Sequence, residues 1–235
     1  MAATAKTDRA PRPTATVEDY LATIYIWERD GQAVIAARLA EIFEVTPPTV
    51  TETLQRMKGD GWITVGRRKG VQLTETGREA ARSVIRRHML TEWLLTRVLN
   101  MPWSKAHAEA HQIEHAISEE TEVQMRASLN DPQVCPHGNP LPGYEQVAAD
   151  WLPLIETQAG DRLVIRRIHE AAEADTPLLQ FLETNSIAPG VRAQVIEVLP
   201  FNQTITLKLG DRSLALGFSA ARHIFVERAD ESLEP

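Results

Sequence analysis

Residues 46–74 read TPPTVTETLQRMKGDGWITVGRRKGVQLT, and this stretch decides the fold of the first part of the chain. Thr46 is suited to cap a helix, and the two prolines after it fit a first helical turn, where no backbone N–H is needed. Apolar residues then recur at helical spacing. Two β-branched runs flank the basic, glycine-ended tip RRKG, which is typical of a β-hairpin. The stretch therefore predicts a helix over 48–59 followed by a hairpin.

Two further helices are predicted upstream, over residues 17–29 and 34–44, because their apolar residues follow helical spacing. Thr16 is the expected N-cap of the first of them. Residues 1–15 are small, polar and proline-containing, so we expect a disordered lead. Three helices followed by a hairpin are the element order of a winged helix-turn-helix, and we assign that DNA-binding domain to residues 16–80.

The rest of the chain changes from helical to alternating patterns. A long helix over 75–99 begins after Thr74, and further helices start at Ser104 and Ser118. Residues 81–145 are thus predicted to be an all-α domain that ends in a Pro- and Gly-rich loop. Over 152–231, short alternating runs separated by turns predict a small β-barrel. The expected fold class is α+β.

Composition and charge narrow the functional classes. The 235 residues are 43% hydrophobic and 24% charged, which is typical of a soluble globular protein. We find neither an apolar run of about 18 residues nor a signal peptide, so no membrane partner is expected. The single cysteine, Cys135, fits a reducing compartment, and we expect a cytoplasmic protein. Residues 1–100 hold 15 Lys and Arg against 12 Asp and Glu, whereas the remainder is strongly acidic. That asymmetry suits a DNA-binding domain attached to another function.

The stretch HAEAHQIEH, residues 107–115, contains three of the seven histidines. In one continuous helix these histidines and a glutamate would share a face, because positions i, i+4, i+7 and i+8 align. The residues concerned are His107, His111, Glu114 and His115. An i, i+4 pair, His88 and Glu92, lies on the preceding helix, and an antiparallel arrangement would bring the two sets together. Imidazoles and carboxylates together suit a divalent metal ion.

Two other functions remain open from these residues alone. HQIEH, residues 111–115, matches the H-x-x-E-H pattern of a class of zinc hydrolases, in which Glu114 would be the general base. A metal-buffering protein that never binds DNA is the other possibility, and the basic hairpin tip argues against it. No Gly-rich phosphate loop is present, and we expect neither an enzyme nor a small-molecule substrate.

Taken together, the hairpin and the histidines resemble the diphtheria toxin repressor family of iron- and manganese-dependent transcriptional regulators. The resemblance covers roughly residues 16–230 and is carried by TVEDYLATIY, PPTVTETLQRMKGDGWI, LTETGREAA, HMLTE, IEH and CPHGNPLPG, in that order. It implies a winged helix, an all-α dimerisation and metal domain, and a C-terminal SH3-like (FeoA-like) β-barrel. It also implies that CPHG, which holds Cys135 and His137, is a structural turn.

The resemblance implies two groups of metal ligands, carried over position by position. The primary group would be Asp19, His111, Glu114 and His115. The second would be His88, Glu92 and His107, with Glu170 and Glu173 from the SH3-like domain. From the residues alone, these last two acids are as well explained as solvated surface groups.

Three positions that depart from the family pattern affect which metal ion is expected to bind. Position 19 is Asp, as in manganese-responsive relatives, whereas iron-responsive ones usually have Met. Position 22 is Ala, where one manganese-responsive subgroup has a Glu ligand, and position 111 is His, where relatives often have Cys or Glu. Without thioether and thiolate, the remaining hard and borderline ligands suit Mn²⁺ or Fe²⁺, and imidazole shifts the preference somewhat toward Fe²⁺. Together with the resemblance at position 19, this makes Mn²⁺ the first expectation and Fe²⁺ the second. Co²⁺, Ni²⁺, Zn²⁺ or Cd²⁺ are expected to substitute in vitro.

The expected partner is double-stranded DNA, bound by a homodimer at a palindromic operator. Its contacts would come from the outward face of the helix over 48–59 and from the hairpin tip. They are Thr46, Pro48, Thr49, Thr51, Glu52, Arg56, Arg67, Arg68 and Lys69. The family has Gln where Glu52 stands, and Glu prefers a cytosine amine whereas Gln bonds adenine, so we expect an altered base preference or no contact.

Metal binding and dimerisation are expected to act together. An ion shared by Asp19 and the ligands of the all-α domain would fix the spacing of two winged helices in a dimer. The dimer is expected to bury the apolar faces of 84–99 and 113–129. The candidate anchors are Trp93, Leu94 and Leu95.

Overall fold

The computed structural model describes residues 12–66 and 70–229. The chain divides into two compact units, one up to Ile85 and one from Arg86 onward. The division lies inside the long helix that runs from Glu75 to Arg97. Within the described ranges, no helix has the length and apolar character needed to cross a membrane.

The first unit has the predicted order of three helices and a hairpin, followed by a fourth helix. Its elements are α1 (Ala15–Arg29), α2 (Ala36–Ile42), α3 (Pro47–Gly59), β1 (Ile63–Gly66), β2 (Gly70–Leu73) and the first part of α4 (Glu75–Arg97). The two strands pair antiparallel, with Ile63 opposite Leu73. The hairpin tip, 67–69, lies outside the described residues. The winged helix-turn-helix prediction is confirmed.

The start of α3 follows from local sequence. Thr46 is its N-cap, and its hydroxyl accepts a hydrogen bond from the backbone N–H of Thr49. Pro47 and Pro48 occupy the first turn, as predicted. One face of the helix is buried, and its residues are Val50, Thr53, Leu54 and Met57. The opposite face is left exposed over the whole length of the helix.

The start of α1 differs from the prediction. The helix begins at Ala15, and its N-cap residue is Thr14 rather than the expected Thr16. The Arg12 guanidinium lies 2.9 Å from the Glu18 carboxylate, so the chain is already ordered against α1 at the end of the predicted lead. Residues 1–11 of that lead lie outside the described part of the chain.

The helical part of the second unit contains the remainder of α4 together with α5 (Trp103–Ile113) and α6 (Glu119–Ser128). The continuous helix expected over 107–115 is not formed. α5 ends at Ile113, and Glu114–Ala116 form a turn of 3₁₀ helix. Because a 3₁₀ turn is more tightly wound than an α-helix, the last two predicted ligands leave the α-helical register.

The last part of the chain is the predicted small barrel. Its strands are β3 (Leu152–Pro153), β4 (Arg162–Ile168), β5 (Arg192–Leu199), β6 (Thr204–Leu209), β7 (Arg212–Gly217) and β8 (Ile224–Arg228), with helices α7 (Thr176–Thr184) and α8 (Phe218–Ala221). The strand order is β3-β8-β4-β5-β6-β7. The inward faces form one apolar core that includes Leu163, Ile165 and Val195. The α+β fold class and the SH3-like barrel are confirmed.

Two contacts hold the barrel against the helical part of the same unit. The Ser104 hydroxyl donates to the Glu183 carboxylate at 2.7 Å, which connects the start of α5 to α7. Trp103 also packs against the barrel core. Residues of the barrel can therefore reach the side chains of α5.

The loop after α6 contains the CPHG turn, whose backbone hydrogen bonds fit the turn that the resemblance implies. The Gly138 N–H donates to the Cys135 carbonyl at 2.9 Å, and the Ile168 N–H donates to the His137 carbonyl at 2.8 Å. Gly138 has φ +87°, and a Cβ there would lie 1.9 Å from the Arg166 carbonyl oxygen. Only glycine fits this position. The turn places the His137 side chain in the interior of the unit, where it is fully buried.

Candidate metal centre and DNA-binding surface

Four side chains meet in the second unit and are called the His88 group: His88, Glu92, His107 and Glu173. Their nitrogen and carboxylate atoms lie within 4.8 Å of one another. His88 Nε2 is 3.1 Å from Glu92 Oε1 and 3.0 Å from His107 Nδ1. His107 Nδ1 is 2.9 Å from Glu173 Oε2. The acid from the barrel thus joins ligands from α4 and α5.

The His88 group has the character of a cation site. Glu92 is fully buried, and its Oε2 atom has no hydrogen-bond partner in the described structure. A buried carboxylate needs a counter-charge, which protonated His88 and His107 supply at Glu92 Oε1 and which a bound cation can supply instead. The imidazole nitrogens and carboxylate oxygens converge on one point, and that donor set suits a borderline divalent ion. These residues therefore fit a metal ion.

A second cluster in the same unit is called the Glu114 group: His111, Glu114 and His115. Glu114 Oε1 lies 3.2 Å from His111 Nδ1 and 3.4 Å from His115 Nε2. The carboxylate is buried, whereas His111 is half exposed. The 3₁₀ turn brings His115 back toward the carboxylate despite the end of α5 at Ile113. These three residues therefore lie together, as the resemblance implies, whereas the single helical face that also included His107 is not formed.

The two groups are connected through one imidazole ring. His88 Nδ1 hydrogen-bonds to Glu114 Oε2, while Nε2 of the same ring faces Glu92 and His107. A histidine that ligates a metal through one nitrogen commonly donates its other N–H to a carboxylate. His88 can thus ligate a metal ion in the His88 group through Nε2. Through Nδ1 it can orient the Glu114 carboxylate without being a ligand in the Glu114 group.

Protonation of the histidines balances the buried carboxylates when no metal is bound. Burial lowers the pKa of His88, but the charge of Glu92 and the bond to Glu114 outweigh it, and the pKa is raised well above its usual value. Burial raises the pKa of Glu114, but hydrogen bonds from His111 and His88 lower it to about 2. Metal must displace protons from these imidazoles, so its affinity is expected to rise with pH.

Glu170, the other acid predicted to reach the metal, lies elsewhere. Its Oε2 atom is 2.5 Å from Arg167 Nη2, and both side chains are nearly buried. Among the described residues that could hold a metal, Glu173 is grouped with His88 but Glu170 is not. The two acids lie three positions apart around a 3₁₀ turn, and Arg167 holds Glu170 in an ion pair. The prediction that Glu170 reaches the metal is not supported by this geometry.

Two residues that the sequence analysis assigned to a structural turn also lie at this centre. His137 Nδ1 is 3.2 Å from Glu92 Oε1 and 3.4 Å from Glu173 Oε1. Cys135 Sγ is 3.9 Å from the same nitrogen. The sequence carried a signal, since Cys-x-His is a ligand-type spacing, but it gave no indication that Glu92 would lie opposite.

Asp19 belongs to the first unit. It lies on α1, next to the buried Glu18, and is itself half-buried. Its place in the primary ligand group rests on the resemblance of TVEDYLATIY to the family.

The predicted DNA-contacting face of α3 is exposed. Every predicted residue of this helix and its cap is solvent-accessible: Thr46, Pro48, Thr49, Thr51, Glu52 and Arg56. Some of the hydroxyls are used locally, since Thr51 donates to the Pro47 carbonyl at 3.0 Å. The predicted wing residues Arg67, Arg68 and Lys69 lie outside the described residues.

The apolar residues on the predicted dimer faces differ from the expected anchors. Leu95 is buried against Ala106 and Ala110 of its own chain, so it is wrong as an anchor. The guanidinium carbon of Arg97 lies 3.9 Å from the centroid of the Trp93 ring. The indole N–H of Trp93 donates to the Val134 carbonyl. Exposed large apolar side chains in this part of the chain are Val98 and Leu99, directly after α4, Ile113 at the end of α5 and Val123 on α6.

Comparison with known families assigns each part of the chain. Residues 13–71 match the family described as iron dependent repressor, N-terminal DNA binding domain. Residues 74–143 match iron dependent repressor, metal binding and dimerisation domain. Residues 152–228 match the FeoA domain.

Individual relatives match along nearly the whole chain. The iron-dependent repressor IdeR of Mycobacterium tuberculosis is 34% identical over 224 residues, which are 91% of this chain and 97% of the relative. A solved manganese-dependent transcriptional repressor in complex with manganese is 30% identical, with a TM-score of 0.80, over 91% of this chain and all of that one. ScaR with bound Zn²⁺ is 25% identical, with a TM-score of 0.76, over 92% of this chain and 100% of that one.

The winged helix, the clustered histidines and these matches define a metal-dependent DNA-binding regulator. The chain belongs to the diphtheria toxin repressor family of iron- and manganese-dependent transcriptional repressors. It is not an enzyme, because the family consists of regulators, and the hydrolase interpretation of HQIEH is not supported. The match to the metal binding and dimerisation domain, residues 74–143, contains His111, Glu114 and His115.

Proposed function

We propose that this repressor responds to Mn²⁺, with Fe²⁺ as the second candidate, and that the bound ion is required for operator binding. The observation that carries the proposal is the pairing of two imidazole–carboxylate groups in one unit, with a buried Glu92 oxygen that has no hydrogen-bond partner. Neither group contains a thioether or thiolate, which favours hard and borderline ions. Co²⁺, Ni²⁺, Zn²⁺ and Cd²⁺ bind such ligands in vitro as well, so selectivity would rest on geometry and supply.

In this proposal the primary site consists of the Glu114 group and Asp19. His111, Glu114 and His115 belong to the dimerisation domain, whereas Asp19 belongs to α1 of the DNA-binding domain. A ligand from each domain on one ion would restrict how α1 moves relative to the dimer. The bound state would then favour the spacing of two winged helices that fits successive major grooves.

The second site would consist of the His88 group, with Glu173 as the ligand from the barrel. Glu170 is proposed only as the partner of Arg167. A metal ion at the second site would fix the His88 ring. Through its hydrogen bond, His88 would then hold Glu114 in the orientation needed to ligate a metal ion at the primary site. An ion at either site would supply the positive charge that buried carboxylates require.

The partner is proposed to be a palindromic operator in double-stranded DNA, bound by a homodimer. Exposed Val98 and Leu99 directly after α4, and exposed Ile113 and Val123, support a dimer surface in this domain. Each subunit would place the exposed face of α3 in a major groove, while the basic hairpin tip contacts phosphate. The controlled genes would be those of metal homeostasis, and the protein would act in the cytoplasm.

Asp19→Asn tests the connection between metal and DNA binding. Asn keeps the size of the side chain but removes the charge that a cation needs. We expect operator binding by the variant, followed by fluorescence anisotropy, to lose most of its stimulation by Mn²⁺. Asp150→Asn, at an exposed position of the second unit, is the matched control. Full metal stimulation in Asp19→Asn would refute the role of Asp19.

A further inference from the structure

Glu28, in the last turn of α1, connects three elements of the first unit. Its Oε1 atom accepts a hydrogen bond of 2.9 Å from the backbone N–H of Leu73, at the end of β2. Its Oε2 atom accepts one of 2.7 Å from Arg78 Nη2, in the first turn of α4. One carboxylate thus connects the helix that carries Asp19 to the second strand of the hairpin and to the helix that follows it.

The base of the hairpin is attached to α4 by a separate set of contacts. The Thr74 N–H donates to the Trp62 carbonyl at 3.0 Å, and its hydroxyl donates to the Gly61 carbonyl at 2.7 Å. A Cβ at Gly77 would lie 2.0 Å from the Trp62 carbonyl oxygen, so α4 begins in close contact with this base. None of these contacts involves α1. The hydrogen bonds of Glu28 therefore act on the hairpin independently of them.

A cavity of about 420 Å³ borders the Glu28 contact. Its lining includes Arg29 and Gln32, from the end of α1 and the loop after it, and Val71 and Gln72, from β2. The strand is therefore not closely packed against that loop. Beside the cavity, charge-assisted hydrogen bonds with a defined direction hold β2 to α1.

The hairpin is short, since its described strands, 63–66 and 70–73, have four residues each. A two-stranded hairpin alone is marginally stable in water, so its direction depends on the contacts at its base. From Leu73 to Gly70 the strand rises about 10 Å, and a rotation of about 10° at Leu73 moves Gly70 by roughly 2 Å. A displacement of that size breaks a hydrogen bond, because its donor and acceptor must lie within about 3.2 Å of each other.

We propose that Glu28 is a positioning residue, which fixes the direction of the hairpin relative to α1 so that the basic tip meets a DNA phosphate. The inference rests on the proposed function, in which the tip contacts phosphate and a metal ion restrains α1 through Asp19. Asp19 lies near the start of α1 and Glu28 near its end, about 14 Å apart along the helix axis. A restraint on α1 at the first residue is thus passed to the hairpin by the second.

The direction of the effect separates this role from that of a simple charge. Removing a carboxylate from a DNA-binding domain ordinarily strengthens binding, because DNA is a polyanion. Loss of Glu28 is expected to weaken it. The side chains of Glu28 and Arg78 are 17% and 32% exposed, and ion pairs that are open to solvent contribute little to stability. We therefore expect Glu28→Ala to remain folded.

A double-mutant cycle between Glu28→Ala and Arg68→Ala, in the full-length protein, tests the proposal. Affinity for a duplex of random sequence is measured in saturating Mn²⁺ at several salt concentrations. We expect Glu28→Ala to lower affinity severalfold and to reduce the salt slope by up to one released counterion, no more than Arg68→Ala does. In the double variant the two losses should not add, because both act through the same phosphate contact. Glu79→Ala removes another ion-paired carboxylate of the first unit, and this matched control should not weaken binding.

Two further measurements separate positioning from a general loss of structure. Calorimetric titration with Mn²⁺ should give the same affinity in Glu28→Ala and the wild type, because no proposed metal ligand is altered. Glu28→Gln keeps an oxygen that can accept from the Leu73 N–H, so it should regain part of the lost affinity and salt slope. Should Glu28→Ala fail to fold, Glu28→Gln takes its place in the cycle, with a smaller loss that again disappears in the Arg68→Ala background.

Three results would overturn the proposal and leave the proposed function intact. They are additive losses in the double variant, an affinity of Glu28→Ala equal to or above that of the wild type, and a matching loss of Mn²⁺ affinity in that variant. If Arg68→Ala itself keeps the wild-type affinity and salt slope, the hairpin tip does not bind phosphate. The proposed function then fails at that step, and this inference fails with it.

Discussion

His88 and Glu114 hydrogen-bond to each other through Nδ1 of the ring and Oε2 of the carboxylate, and this contact joins the two ligand groups. The other ring nitrogen, Nε2, faces Glu92 and His107. A single side chain therefore belongs to the His88 group and orients the central carboxylate of the Glu114 group. The two proposed sites are expected to be energetically coupled through it.

Replacing His88 should weaken metal binding at both sites. His88→Gln removes a ligand of the His88 group and the donor that orients Glu114. Since loss of an outer-shell partner alone costs about 10–100-fold in affinity, we expect at least that loss of Mn²⁺ affinity at the Glu114 group. Isothermal titration calorimetry with Mn²⁺ measures both steps. His107→Gln is the control, because the polar contacts of its ring among the described residues are with His88, Glu92 and Glu173. Equal affinities of the two variants at the Glu114 group would rule out the coupling.

Replacing Glu52 should change base preference rather than overall affinity for DNA. Glu52 is exposed on α3, where it can accept a hydrogen bond from a cytosine amine. Glu52→Gln should shift the preferred base at one operator position toward adenine, by about 1–3 kcal/mol. Competition binding with single-base operator variants measures this shift. Glu197→Gln, at an exposed position of β5, is the control. An unchanged preference would mean that residue 52 does not contact a base.

Replacing Arg68 should reduce binding to all DNA sequences alike. The residue belongs to the basic hairpin tip, which is expected to contact phosphate and not base edges. We expect Arg68→Ala to lower affinity uniformly and to reduce the salt dependence by about one released counterion. Arg212→Ala, at an exposed position of β7, should leave the slope unchanged. If both variants keep the wild-type slope, the hairpin is not a wing that binds DNA.

The pKa values predict that both acid and alkali destabilise the metal-free protein. The pKa of Glu114 is about 2 when folded, against an ordinary 4.5, so its stabilisation is present above pH 4.5 and is lost as the pH falls toward 2. Burial lowers the pKa of His137, but the charges of Glu92 and Glu173 raise it to about 9 from 6.5. Its stabilisation is complete below pH 6.5 and is lost as the pH rises through 9.

Thermal unfolding of the chelator-treated protein across this pH range measures both effects. His137→Gln should show a smaller alkaline decrease in Tm than the wild type, because His88 still contributes one, and should keep the acidic decrease. An alkaline decrease of the same size in the variant would show that His137 is not its source.

The sequence predicted well whatever depends on local chemistry. Thr46 with its two prolines fixes the start of α3, and the RRKG tip fixes the hairpin, because caps and turns are decided by neighbouring residues. Spacing predicted that the histidines lie near one another, but the separation of His107 from His111 and His115 was implied only by the resemblance. Spacing could not predict that α5 ends at Ile113, because a 3₁₀ turn at a helix end depends on how the following chain packs.

Contacts between distant parts of the chain were beyond prediction from one sequence. His137 meets Glu92 across 45 positions, and only the docking of the CPHG turn against β4 brings them together. Glu170 and Glu173 are the same residue type in one short segment, so the sequence provides no reason to prefer either as a metal ligand. Arg167 pairs with Glu170, whereas Asn139 directs Glu173 toward His107. Both contacts form only in the folded barrel and its neighbouring turn, so one sequence does not identify these partners.

The central claim is that this chain binds a specific DNA sequence only with metal bound. Selection from a library of random duplexes at fixed salt tests it most directly, in Mn²⁺, in Fe²⁺ without oxygen, and in chelator. We predict enrichment of a palindrome in the presence of metal, stronger in Mn²⁺ than in Fe²⁺, and no enrichment in chelator. Equal enrichment of the same sequence in chelator, or no enrichment under any condition, would contradict the account.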